Sequence, residues 1–156
     1  MTAASVGVVL VAVLMGACAH RATLSQQAAV DEDVVAQAVS WIIKAAPAAK
    51  MYSVQIAGRS AGSTLLDGVA RNSGLQRVGS QLRQPDGSAG VVEAVAVMTA
   101  LPQWTEQEAS VDISYSSAHR SSVECKVLLR RGRNASEWLL RTPSDVTCWP
   151  RPQAQR

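Results

Sequence analysis

The chain has 156 residues, of which 47% are hydrophobic and 17% charged, and its net charge is +3. This length allows one compact domain after removal of a processed leader and leaves no room for a second. The charge excess is too small for a typical nucleic-acid binder, and the absence of Phe requires a core of Val, Leu, Ile and Ala with a few Trp side chains.

An apolar run extends from Val6 to Ala17 and ends in small residues before Cys18. It is too short to cross a bilayer core comfortably as a helix, so residues 1–17 predict a signal peptide. The string LMGAC that ends at Cys18 resembles the lipobox of bacterial lipoproteins, which implies cleavage before Cys18 and acylation of its thiol. Ala19, where Asp would retain a lipoprotein at the inner membrane, implies export to the periplasmic face of the outer membrane. The alternatives are a plain signal peptide or an uncleaved N-terminal anchor.

Residues 18–30 show no apolar periodicity and predict a flexible tether before a folded domain at 31–149. The domain is expected to begin with an amphipathic helix that ends at Pro47. The triplet Asp31-Glu32-Asp33 is interpreted as favourable charge at the helix N-terminus and not as a metal site, because consecutive helical residues point in different directions. The predicted apolar stripe of this helix consists of Val34, Val35, Ala38, Val39, Ile42 and Ile43.

A strand and a second helix are predicted next. Met51–Ile56 alternates apolar and polar residues, as a half-buried strand does. Ser60–Ser73 predicts a helix with Ser60 as its N-cap and Gly74 as its left-handed C-terminal residue. Leu75–Val78 is expected to form a short strand, and the Pro- and Gly-containing stretch 84–90 predicts a loop.

The C-terminal half predicts an antiparallel sheet. Val91–Leu101 is apolar enough to form either a strand or a helix, and its Val content favours the strand. Val111–Tyr115 and Val123–Leu129 alternate and predict a β-hairpin, which Glu137–Arg141 extends into a meander. The predicted fold class is therefore α+β, with two helices packed on an antiparallel sheet and an extended tail at 150–156.

Two cysteines remain in the mature chain, Cys125 on the middle strand of the meander and Cys148 near the C-terminus. An even pair in an exported chain predicts a disulfide, which would hold the tail against the sheet. The alternative is two buried free thiols.

No residue pattern in the sequence predicts a catalytic site, a metal site or a cofactor. The string GRSAG around Ser60 matches the nucleophile elbow of hydrolases, but that fold needs a far larger parallel sheet, so an N-cap role for Ser60 is favoured. His20 and His119 have no acidic or cysteine neighbours at ligand spacing and are interpreted as solvent-facing.

Two further groups of residues offer possible contact surfaces. Trp104, Trp138 and Trp149 could form an exposed binding patch, although Trp138 is expected in the core. The cluster of Arg130, Arg131 and Arg133 is interpreted as a solvated hairpin tip, with phosphate or lipid-headgroup contact as the alternative.

After the lipobox and the polar tether, the chain contains three strings in order, Asp33–Val39 (DVVAQAV), Ala46–Tyr52 (APAAKMY) and Leu65–Leu75 (LLDGVARNSGL). Together these features resemble the TrbH family of conjugal-transfer lipoproteins. The resemblance implies a non-enzymatic structural subunit on the outer-membrane side of a type IV secretion complex. The implied partners are other subunits of a multi-subunit ring and outer-membrane lipid at Cys18, without a cofactor or direct contact with nucleic acid.

Two other interpretations remain open. The segment LLDGVARNSGL also resembles the ring-building modules at the periplasmic end of secretins, which belong to another secretion machine. Alternatively, the chain is a free-standing periplasmic lipoprotein that binds a ligand or inhibits an enzyme.

Overall fold

The computed structural model describes residues 28–46, 48–85, 92–118, 120–132, 138–140 and 145–151. The chain forms two compact units, Met1–Asp31 and Glu32–Arg156, and the core and the sheet belong to the second. The described residues form two helices and one mostly antiparallel sheet, which confirms the predicted α+β class.

The described residues form two helices and ten strands. Helix α1 covers residues 28–45 and helix α2 covers Ser63–Ser73. The strands are β1 Ala49–Ile56, β2 Arg59–Ser60, β3 Gln76–Val78, β4 Gln81–Arg83, β5 Val92–Thr99, β6 Gln103–Trp104, β7 Glu108–Ser117, β8 Arg120–Arg131, β9 Trp138–Leu139 and β10 Val146–Pro150.

The sheet has the strand order β10-β8-β7-β5-β1-β4-β3, with β2, β6 and β9 as short additions. All pairs along this order are antiparallel except β1 and β5, which run parallel with Tyr52 beside Val95 and Val54 beside Val97. The parallel pair arises because α2 and the β3–β4 hairpin lie between β1 and β5 in the chain, and a parallel connection needs such a crossover.

One face of the sheet, which we call the inner face, forms the core with the two helices. The side chains at alternate positions of β5, β7 and β8 are buried on this face, as period-2 burial requires. Tyr52 is among the largest fully buried side chains, and its hydroxyl accepts a hydrogen bond from the Ala49 amide at 3.0 Å. The inner-face core consists of Tyr52, Val54, Leu82, Val95, Val97, Ala109, Val111, Ile113, Cys125, Val127 and Leu129.

Helix α1 contributes the predicted apolar stripe to the core, and every residue of that stripe is buried. The helix already includes residues 28–30, so the tether boundary predicted at residue 30 is wrong for these three residues. Ala28 and Ala29 are strong helix formers, and they extend the helix ahead of the acidic triplet. The triplet therefore lies inside the helix, where the Asp33 carboxylate accepts a hydrogen bond from the Gln37 side chain at 3.0 Å. Pro47 lies outside the described residues.

The second helix begins three residues later than predicted. Ala57 and Gly58 both have positive φ, 48° and 76°, and they form a tight turn that pairs Ile56 with Arg59. Ser60 is consequently part of β2, and the helix N-cap is Gly62, without a side-chain hydrogen bond. The predicted N-cap role of Ser60 is wrong, whereas the left-handed Gly74 at the C-terminus is confirmed with φ 78°.

The predicted antiparallel hairpin and meander are present. Strands β7 and β8 pair from Glu108 with Arg130 to Ser117 with Arg120, with a register shift between Tyr115 and Ser117. Strand β9 pairs with the end of β8, and β5 confirms the strand interpretation of the ambiguous apolar run. Strand β4 was not predicted. The loop predicted at 84–90 lies outside the described residues from residue 86 onwards.

Candidate functional site

The other face of the sheet, the outer face, carries a groove that we call the outer groove. It runs across β5, β7, β8 and β10 and has a volume of about 630 Å³. Apolar side chains of Met98 and Trp149 line it, and both are about two-fifths exposed (40% and 42%). Ala57 and Ala100 complete the apolar lining. An exposed concave surface with these side chains is suited to binding an apolar segment of a partner or a small molecule.

Three charged side chains line the outer groove, Asp112, Glu124 and Lys126, and each forms an ion pair. The Lys126 ammonium lies 3.9 Å from the Asp112 carboxylate, and the Arg151 guanidinium lies 3.2 Å from the Glu124 carboxylate. Because these pairs are solvent-exposed, each contributes at most about 1 kcal/mol to stability. Opposite charges next to an apolar lining make the groove electrostatically mixed, so shape and apolar contact are expected to dominate binding.

Cys125 and Cys148 form a disulfide next to this groove. Their sulfurs are 2.11 Å apart, and the two residues lie directly opposite each other on β8 and β10. Cys125 is buried whereas Cys148 is exposed. The bond fixes β10, and with it Trp149, to the rest of the sheet.

The three Trp residues considered as one patch are separated in the structure. Trp138 is in the core at 3% exposure, as expected, and its ring meets that of half-buried Trp104 edge to face at 4.8 Å. Trp149 lies apart from them, in the outer groove. A single exposed patch of three Trp side chains is therefore not formed.

The arginines expected at a solvated hairpin tip have specific partners. Arg130 lies 3.1 Å from the Glu108 carboxylate and 3.8 Å from that of Asp145, which is only 5% exposed. The Arg131 guanidinium lies over the Trp138 ring, 5.3 Å from its centroid. Arg130 and Arg131 are both exposed at the end of β8, as expected for a solvated tip, and the structure adds these partners to that interpretation. Arg133 lies outside the described residues.

A second groove, the inner groove, lies between α1 and the β8–β9 edge of the inner face. Its volume is about 400 Å³, and Trp41 and Lys44 of α1 face Leu139 and Leu140 across it. Segments adjoining Leu139 and Leu140 lie outside the described residues, so the outer groove is the better-defined candidate site.

Of the residues considered from the sequence as a possible acylation site, nucleophile or histidine ligand, only Ser60 is described, and it lines neither groove. Cys18, His20 and His119 lie outside the described residues, and Ser60 is exposed on β2. Among the residues that the structure describes, no group of three or more His, Cys, Asp or Glu side chains is placed to hold a metal ion. In the same part of the chain, no helix combines the length and apolar character needed to cross a membrane.

Comparison with known proteins does not assign this chain to a family. No family model, no curated protein and no solved structure matches the chain. The function is therefore argued from the residues and from the geometry of the described part of the chain.

The sequence contained only a partial signal for the outer groove. Met98 occupies an outward position of β5, which alternation reveals once that segment is known to be a strand. Ala57 and Ala100 join the groove through the turns that end β1 and β5, and no local pattern marks them.

Proposed function

We propose that this chain is an exported lipoprotein, acylated at Cys18, that serves as a structural subunit of an envelope-spanning type IV secretion or conjugation complex. The observation that carries the proposal is the disulfide between Cys125 and Cys148, because structural disulfides form in exported proteins and are rare in the cytosol. The lipobox-like string before Cys18 and the resemblance to the TrbH family support the remaining parts.

In this proposal the lipid fixes the domain at the periplasmic face of the outer membrane and residues 18–27 act as the tether. The α+β domain then contacts neighbouring subunits in a ring, without catalysis, a cofactor or direct contact with nucleic acid. The outer groove supports such a role, since its exposed Trp and Met side chains are among those enriched at protein interfaces.

Acylation is tested by growing cells that express the chain with an alkyne-bearing palmitate analogue. The wild-type protein should incorporate the label, and Cys18→Ser should lose it entirely while Cys125→Ser together with Cys148→Ser retains it. Label in the Cys18→Ser protein, or an intact Met1 on the exported molecule, would refute the lipoprotein assignment.

Assembly is tested by placing a photo-crosslinking amino acid at Met98 in the outer groove. The matched control is the same amino acid at Val78, which is 55% exposed at the opposite edge of the sheet. We expect crosslinks from position 98 to discrete envelope subunits identified by mass spectrometry, and none of those products from position 78. Identical products from both positions would indicate non-specific contact and contradict the proposed interface.

A second candidate function is a free-standing periplasmic lipoprotein that binds a ligand or inhibits an enzyme. The volume of the outer groove, about 630 Å³, favours it, because small-molecule sites occupy roughly 300–1,000 Å³. Native mass spectrometry of the detergent-extracted protein separates the two functions. A monomer that carries a small molecule supports the second candidate, and a multi-subunit assembly supports the first.

A further inference from the structure

Strand β10 buries very little of its own surface. Val146 is half-buried, and the residues from Thr147 to Pro150 are exposed. The strand is the last in the sheet order and pairs with β8 alone among the described strands. Only Val146 packs against the core, so the attachment of β10 from Thr147 onwards depends on its links to β8.

The backbone links between β10 and β8 follow an alternating pattern. The Arg151 amide donates to the Ser122 carbonyl at 2.9 Å, so these two residues form a hydrogen-bonded pair. Because every second pair of an antiparallel ladder is hydrogen-bonded, Trp149 with Glu124 and Thr147 with Lys126 are hydrogen-bonded pairs too. Cys148 and Cys125 occupy a non-hydrogen-bonded pair, which brings Cα atoms closest, here to 4.1 Å.

Two side-chain links supplement the backbone, one at each end of the strand. At its C-terminal end, Arg151 and Glu124 form an exposed ion pair of little strength. At its N-terminal end, the buried Asp145 carboxylate lies near the Arg130 guanidinium. Among the described residues, the disulfide is thus the one covalent link between β10 and β8, and an ion pair lies at each end of the strand.

We propose that the Cys125–Cys148 disulfide is a redox latch, whose reduction by a dithiol releases β10 from β8 while the rest of the sheet stays folded. A thiolate of the dithiol attacks the sulfur of Cys148, the exposed residue of the pair, and Cys125 leaves as a thiolate that takes up a proton. The second thiol of the reductant then displaces Cys148, so the protein gains two thiols and the reductant becomes a cyclic disulfide.

Release has two structural consequences. The backbone groups of Glu124 and Lys126 lose their partners on β10, which exposes the edge of β8. Trp149 leaves the outer groove at the same time, because it is carried by the released strand. The latch therefore couples the thiol–disulfide state to the shape of the candidate binding surface, and this holds whether or not Cys18 is acylated.

The test is amide hydrogen exchange measured by NMR on the full chain, before and after reduction with dithiothreitol. Glu124 and Lys126 direct their amides toward β10, whereas Cys125 and Val127 of the same strand direct theirs toward β7. Exchange at Glu124 and Lys126 should rise by about a hundredfold when the loop-closing bond is lost, and exchange at Cys125 and Val127 should not change.

The double variant Cys125→Ser with Cys148→Ser, studied without reductant, is the control for effects of the reductant elsewhere. It should reproduce the exchange pattern of the reduced wild-type protein. Unchanged exchange at all four amides after alkylation has verified reduction would overturn the latch, since β10 would then stay bound. Equal acceleration at all four would also overturn it, because the bond would support the whole domain. Resistance of the bond to dithiothreitol in the folded protein would exclude attack at Cys148.

Discussion

The two helices approach each other closely at Gly68 of α2, where an added Cβ would meet a neighbouring atom. A Cβ placed on Gly68 of α2 would lie 3.0 Å from the Cβ of Ala36 on α1. Nearby, the Ser40 hydroxyl of α1 approaches the Val69 carbonyl of α2 at 3.4 Å. Both atoms of the Gly68–Ala36 contact would be Cβ atoms, whose positions are fixed by the helix backbones that carry them. Neither can move independently of its helix to relieve a clash.

We expect Gly68→Ala to lower the free energy of unfolding by about 1 kcal/mol, because overpacking outweighs the better helix propensity of Ala. Urea unfolding followed by circular dichroism measures the change. The exposed substitution Thr64→Ala on the same helix is the control and should not destabilise the domain.

A double-mutant cycle separates the clash from a general effect on the helix. Combining Gly68→Ala with Ala36→Gly should recover at least about 0.5 kcal/mol relative to the sum of the single changes. Strict additivity would show that the helices do not touch at this point.

At the scale of single elements, the turn between β1 and β2 decides where the following helix begins. Ala57 has φ 48°, a left-handed conformation that is unfavourable for a residue with a Cβ, and its amide donates to the Thr99 carbonyl at 2.8 Å. The turn thus also ties the end of β1 to the end of β5. The same two strand ends contribute Ala57 and Met98 to the outer groove.

Replacing Ala57 with Asn should raise the free energy of unfolding by about 0.5–1 kcal/mol, because Asn-Gly is the preferred pair for a two-residue turn with positive φ at both positions. Thermal unfolding monitored by circular dichroism tests this expectation. At the neighbouring position, Gly58→Ala should destabilise the domain, because Gly58 has φ 76° and a Cβ is unfavourable in this left-handed conformation. A loss of stability with Ala57→Asn would indicate that the turn geometry differs.

Element by element, the strength of the periodic signal determined which predictions were correct. The long segments of α1, β7 and β8 have many buried positions on one face, so their patterns were sufficient. Strand β4 has one buried residue, Leu82, between Gln81 and Arg83, and three residues carry too little periodicity to be recognised. The capping preference of Ser60 favours a helix start, whereas no residue pattern marks the Ala57–Gly58 turn that places Ser60 in β2.

At the scale of the whole molecule, the proposal depends on where the mature chain is anchored. Residue Ala19 follows the proposed acylated cysteine, and the resemblance to lipoproteins implies that Asp at this position retains the protein at the inner membrane.

We therefore expect Ala19→Asp to keep the acyl label but to move most of the protein from outer-membrane to inner-membrane fractions of a sucrose gradient. Ala19→Ser is the matched control and should leave the distribution unchanged. An unaltered distribution of the Asp variant would contradict sorting by the lipoprotein route.

The whole fold also shows why the candidate site could not be derived from local patterns. The outer groove combines Ala57, Met98, Lys126 and Trp149, which come from four separate parts of the chain. Their proximity depends on the parallel register of β1 with β5 and on the pairing of β10 with β8. Neither pairing is specified by a run of neighbouring residues.

Local residue patterns were enough to predict the α+β class, the buried stripe of α1, the alternating strands β7 and β8, and the pairing of Cys125 with Cys148. These properties depend on the period of apolar residues along a segment or on residue identity alone. The strand order, the start of α2, the partners of Arg130 and the position of the outer groove became known from the folded chain. Each of these depends on contacts between residues far apart in the chain, whose free energies are set by packing and not by local preference.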